Sequence, residues 1–125
     1  MIDRLEKDVK EKVKSFLKSK GIFYRCISAN EGVTFTGISD FLAIFPDGRF
    51  WAIETKKPGC NTISNHQFLF LDNIAKNNGV STVANKLQDV IDAYDKKYSN
   101  FKEAKVEVKK AKFAKGAICS SGWSA

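Results

Sequence analysis

Apolar residues recur at helical spacing along the first twenty positions. Leu5, Val9, Val13, Phe16 and Leu17 fall three and four residues apart and Gly21 follows as a stop, so residues 3–19 are predicted to form an amphipathic helix. Asp3 with Glu6 three residues on fits an acidic N-cap and its return partner. Residues 22–28 read as a strand and Asn30-Glu31-Gly32 as a turn. Two apolar runs, Phe41–Phe45 and Phe50–Ile53, then flank Pro46-Asp47-Gly48-Arg49. Pro presets φ and Gly accepts positive φ, so the three pieces predict a hairpin. Both runs are apolar at successive positions, which predicts a sheet covered on both faces. Residues 64–78 form the next helix, with Ser64 as N-cap, Gln67 three residues later and Asn78-Gly79 at its close. Val80–Ala84 reads as a strand and residues 86–98 as a last helix. The order is α-β-β-β-α-β-α, an α/β domain over residues 1–98. Residues 99–125 follow as a basic tail whose pattern selects neither helix, strand nor disorder.

Composition narrows the class. With 125 residues, 43% of them apolar and ten Phe among them, the chain suits one folded domain with its own core. No apolar run approaches a membrane span, and charge from Asp3 onward argues against a secretory signal. Cys26, Cys60 and Cys119 make an odd number without a C-x-x-C pair, which excludes a disulfide framework or a Cys-rich zinc site and fits a reducing, cytoplasmic setting. The net charge of +7 suits a polyanionic partner such as nucleic acid. The surplus lies at the two ends of the chain, so the chemistry of the neutral middle is more than a basic patch.

That middle holds Asp40, Glu54 and Lys56. If the hairpin bends at Asp47-Gly48, residues whose numbers add to 94 or 95 face one another, which sets Asp40 across from Glu54. Lys56, two residues beyond Glu54, points to the same face. Facing acids repel by up to roughly 1 kcal/mol unless something neutralises them. A divalent cation would, since Mg²⁺ takes carboxylate and carbonyl oxygens and keeps several waters. So would a surface ion cluster with Lys56 or Lys57. Glu6 adds a third acid, inside the apolar arc of its helix, where an acid is costly unless paired or serving a metal. It serves equally well as the capping partner of Asp3.

Gly37-Ile38-Ser39-Asp40-Phe41-Leu42, then Gly48-Arg49-Phe50-Trp51-Ala52-Ile53-Glu54-Thr55-Lys56-Lys57-Pro58-Gly59, then Ser64-Asn65-His66-Gln67 resemble the VRR-NUC family, a branch of the PD-(D/E)xK nucleases that includes small phage and bacterial proteins. The resemblance spans residue 6 to about 85. It departs at Ser39, where the family usually has Pro. It implies a restriction-endonuclease-like α-β-β-β-α-β core with a mixed central sheet flanked by helices. It further implies that Asp40, Glu54 and the Thr55 carbonyl hold Mg²⁺ or Mn²⁺, that Glu6 supports the metal directly or through water, and that Lys56 orients the attacking water. Gln67 would lie beside the site, although a Gln at that spacing after Ser64 is also an ordinary capping residue. The implied activity is structure-selective cleavage of DNA, Holliday-junction resolvase-like, by a homodimer on branched substrates. The alternative is a catalytically weak or inactive nucleic-acid-binding module.

Other features point less far. No Gly-rich phosphate loop followed by Lys-Ser/Thr occurs, so no nucleotide cofactor of that class is expected. Lys57, Arg25 and Arg49 are candidate backbone contacts for a nucleic acid. His66, in the first turn of its helix, is a candidate phosphate contact or a plain exposed residue. Trp51 and Phe41, Phe45 and Phe50 are placed by their strands in the core, not on a base-stacking surface.

Overall fold

The computed structural model describes residues 5–27 and 37–107. The elements are α1 (Glu6–Ser19), β1 (Phe23–Cys26), β2 (Phe41–Ile44), β3 (Phe50–Thr55), β4 (Thr62–Ser64), α2 (Asn65–Lys76), β5 (Val80–Ala84), α3 (Leu87–Lys96), a 3₁₀ turn (Phe101–Glu103) and β6 (Lys105–Glu107). The main sheet runs β1-β2-β3-β5. Its first two pairings are antiparallel and β3–β5 is parallel, so the fold is α/β around a mixed four-stranded sheet. No helix among the described residues is long and apolar enough to cross a membrane.

Strand parity sorts the core into two layers. On one face Phe41, Ala43, Trp51, Ile53 and Val80 pack against Val9, Val13 and Leu17 of α1 and Val90 of α3. On the other, Ala52 and Val83 pack with Leu71 of α2, Ile63 and Phe101. β3 and β5, lying under helices on both sides, are buried almost throughout, as continuous apolar runs require. β2 departs from that expectation. Leu42 is only half-buried and Ile44 is exposed beside Phe23, its exposed partner on β1, because α2 covers the β3–β5 half of the sheet. Trp51 is fully buried in the core. Its ring stacks on Phe45 at 4.4 Å and its Nε1–H donates to Thr82 Oγ1 at 2.9 Å.

The hairpin bends where expected. Gly48 takes φ +92° and its N–H donates to the Phe45 carbonyl at 2.8 Å. The pairs Phe41↔Ile53 and Leu42↔Ala52 fix the register at a sum of 94. α1 begins later than the pattern suggests. Leu5 is its N-cap, and the Asp8 carboxylate accepts from the Leu5 N–H at 3.0 Å. Glu6 is thus the first helical residue, not the third, and Asp3 lies outside the described residues.

The domain also extends past residue 98. Asn100 acts as a substitute strand along the free edge of β5: its Oδ1 accepts from Val83 N–H at 2.7 Å and its Nδ2 donates to the Val83 carbonyl at 3.0 Å. Phe101 then inserts into the α2 layer, and β6 pairs in parallel with β4. Residues 99–107 therefore belong to the fold, while residues 108–125 lie outside the described residues.

Candidate active site

The hairpin register, carried one position beyond Phe41↔Ile53, sets Asp40 opposite Glu54 at the end of the sheet away from the bend. Each acid is held differently. Asp40 Oδ2 accepts twice from Thr55, from the backbone N–H at 2.9 Å and from Oγ1 at 2.7 Å. That fixes the carboxylate plane and leaves Oδ1 as its outward oxygen. Glu54 is 4% exposed. Its Oε2 accepts from Gln67 Nε2 at 2.9 Å and lies 3.6 Å from Lys56 Nζ. Its Oε1 is buried and meets no partner. Lys56 extends the β3 ladder by one step, its N–H donating to the Ala84 carbonyl at 2.8 Å, so its side chain stays on the Glu54 face.

Gln67 does both things the sequence leaves as alternatives. Its backbone N–H donates to Ser64 Oγ and its Oε1 accepts from the Ser64 N–H at 2.9 Å, closing the capping box of α2. The same Oε1 accepts from Lys56 Nζ at 3.2 Å while Nε2 reaches Glu54. The helix cap thereby orients both Glu54 and Lys56. Gly37 brings the Asp40 segment against this helix start. It takes φ +88°, and a Cβ there would stand 2.7 Å from the His66 carbonyl carbon, so only glycine fits.

Electrostatics follow from burial. Glu54 is pushed up to about 8, chiefly by burial and next by the Asp40 charge; Lys56 pulls the other way and Glu6 adds to the rise. Glu6 stands at the rim. Its side chain is 43% exposed and paired with Lys10 at 3.3 Å, not turned into the core. Lys10 is the residue the sequence reading misses. Its Nζ lies between Glu6 Oε2 and Asp40 Oδ1, the latter at 3.6 Å. Burial works against its charge, but the carboxylates of Asp40 and Glu6 outweigh that and raise its pKa. The only signal in the chain is the four-residue step from Glu6 to Lys10, an ordinary helix ion pair on its own. Thr55, expected to offer its carbonyl, positions Asp40 through its N–H and hydroxyl.

The remaining candidates are less tightly placed. His66 and Lys57 are exposed. Arg25 is exposed on β1, its guanidinium over the Phe23 ring at 5.0 Å. Arg49 sits at the hairpin bend, where its Nε donates to the Asn78 carbonyl at 3.1 Å, at the opposite end of β3 from Glu54. The open groove of about 530 Å³ between α1 and α3, lined by Phe16 and Leu87 among others, is separate from these acids.

No three His, Cys, Asp or Glu side chains gather at metal-holding distance among the described residues. The donor set nevertheless fits a hard cation such as Mg²⁺, which takes one or two protein carboxylates and completes its shell with water. Asp40 Oδ1, approached by Lys10, and the unpartnered Glu54 Oε1 are the two oxygens that could face it. No family model, curated protein or solved structure matches the chain.

Proposed function

We propose that the chain is a divalent-metal-dependent, structure-selective DNA endonuclease with a restriction-endonuclease-like core. One observation carries the reading: a nearly buried Glu54, with one oxygen lacking any partner, faces Asp40 across the hairpin. Burying a carboxylate this way is unfavourable for the fold alone. The acids would hold Mg²⁺ or Mn²⁺ with the Thr55 carbonyl, Glu6 supporting from the rim. The bound ion would lower the pKa of a water and offset charge developing on the phosphate. Thr55 fixes the Asp40 carboxylate in place. Gln67 steers Lys56 toward the Glu54 side, where its ammonium orients the attacking water and meets the growing negative charge. Lys57, Arg25 and His66 would contact the DNA backbone. Two symmetric cuts on a four-way junction call for two such sites, hence a homodimer.

A labelled four-way junction, a flap and a linear duplex, each with and without Mg²⁺ or Mn²⁺, test this. Metal-dependent cleavage of a branched substrate is expected from the parent, with Asp40→Ala and Lys56→Ala folded and at least about a hundredfold slower. Asp40→Ala cutting as well as the parent in Mn²⁺ overturns the reading. Light scattering should give twice the chain mass.

The second reading is a nucleic-acid-binding module without catalysis. The Lys10 ammonium beside Glu6 and Asp40 favours it, because those acids are already partly compensated without a metal. It expects salt-dependent binding with no cleavage under any metal.

A further inference from the structure

Two lysines flank the acid pair, and they sit on different kinds of oxygen. Lys56 approaches Glu54 Oε2, which already accepts from Gln67, and leaves Oε1 untouched. Lys10 approaches Asp40 Oδ1 at 3.6 Å, and the other oxygen of that carboxylate is taken twice by Thr55. Lys10 therefore faces the one Asp40 oxygen free to serve a cation. Its second partner, Glu6 Oε2 at 3.3 Å, is the acid at the rim of the same site. An ammonium at Asp40 Oδ1 holds an oxygen that a divalent ion would use and supplies part of that ion's charge.

We propose that Lys10 is a built-in competitor for the metal: its ammonium, held between Glu6 and Asp40, takes the Asp40 Oδ1 that a divalent ion shared with Glu54 would need, and the ion binds only as Lys10 withdraws. This rests on the metal-dependent reading above and adds a control on it. Without metal, Lys10 offsets part of the repulsion between two acids that stand beside a buried third. With metal, the same charge opposes loading, so the site fills at a higher free-ion concentration than its carboxylates alone would demand. The side chain is suited to leaving, being 32% exposed and held by contacts of 3.3 and 3.6 Å, both longer than a tight charge-assisted bond.

Calorimetric titration of the purified full chain with Mn²⁺ alone, at low ionic strength, tests the proposal. Lys10→Met should bind Mn²⁺ roughly tenfold more tightly than the parent, the scale expected from removing a unit charge a few ångströms from a divalent ion in a watery site. Lys10→Arg, which keeps the charge, should bind no more tightly than the parent. Lys10→Gln gives the same comparison if thermal melting shows Lys10→Met to be misfolded. Equal or weaker Mn²⁺ binding by the neutral variants overturns the competitor role while leaving the metal site standing. Saturable binding by neither the parent nor the neutral variants overturns both the competitor role and the metal-dependent reading.

Discussion

The two ends of β3 bury polar groups in opposite ways. Near the bend, Trp51 is fully buried and stacked on Phe45, and its single donor is met by Thr82. Three residues on, Glu54 is buried almost as deeply, yet Oε1 meets nothing and the carboxyl is pushed up to about 8. The first arrangement adds stability, because apolar area leaves water and no hydrogen bond is lost. The second subtracts from it. A single strand therefore holds the fold at one end and loses stability at the other.

Removing the stabilising end should weaken the fold. Trp51→Ala is expected to lower the unfolding free energy by about 3–5 kcal/mol, read from urea denaturation. A loss below about 1 kcal/mol would mean that the Phe45–Trp51 stack is not the anchor of this sheet.

The other end should respond with the opposite sign. The folded pKa of Glu54, about 8, lies above its ordinary 4.5. Between those values the folded chain binds more protons than the unfolded one, so stability falls as pH rises through this window and is lowest above it. In metal-free buffer above pH 8, Glu54→Gln should be more stable than the parent by up to about 4–5 kcal/mol; below pH 4.5 the two should match. A parent melting curve that is flat across the window would remove the contrast between the two ends.

Smaller changes sharpen where the site begins. Gly37→Ala would force both a positive φ and a 2.7 Å clash with the His66 backbone. It should cost about 1–2 kcal/mol and reduce cleavage beyond that loss, because the Asp40 segment must shift. Gln67→Ala removes half of a capping box together with the link to Glu54 and Lys56. It should cost about 1 kcal/mol in thermal or chemical melting, with a further drop in cleavage rate that Ser64→Ala, a cap change alone, does not produce.

What the sequence made legible was local. The Pro46-Asp47-Gly48 bend fixed the register that faces Asp40 with Glu54, and Ser64 with Gln67 marked the start of α2. Both signals lie within a few residues of the structure they specify. The pairings that were not legible are long-range. β4 and β6 are three residues each and some forty positions apart, so neither carries a strand period of its own. Asn100 sits in a polar stretch, and nothing local shows its side chain bonding both backbone groups of Val83. Lys10 looks like any solvated helix lysine until the fold brings Asp40 beside it. With Leu5 as the N-cap, Glu6 opens the helix at the rim of the site, and that cap has no polar side chain to mark it in the sequence.

The central claim is that Asp40 and Glu54 face each other in order to hold a divalent cation. Calorimetric titration of Mn²⁺ into the metal-free parent and into Glu54→Ala tests it most directly. The account predicts saturable binding by the parent that is lost in the variant. Mn²⁺ taken up by neither the parent nor Lys10→Met, or a Glu54→Ala chain that binds it as well as the parent, would contradict the account.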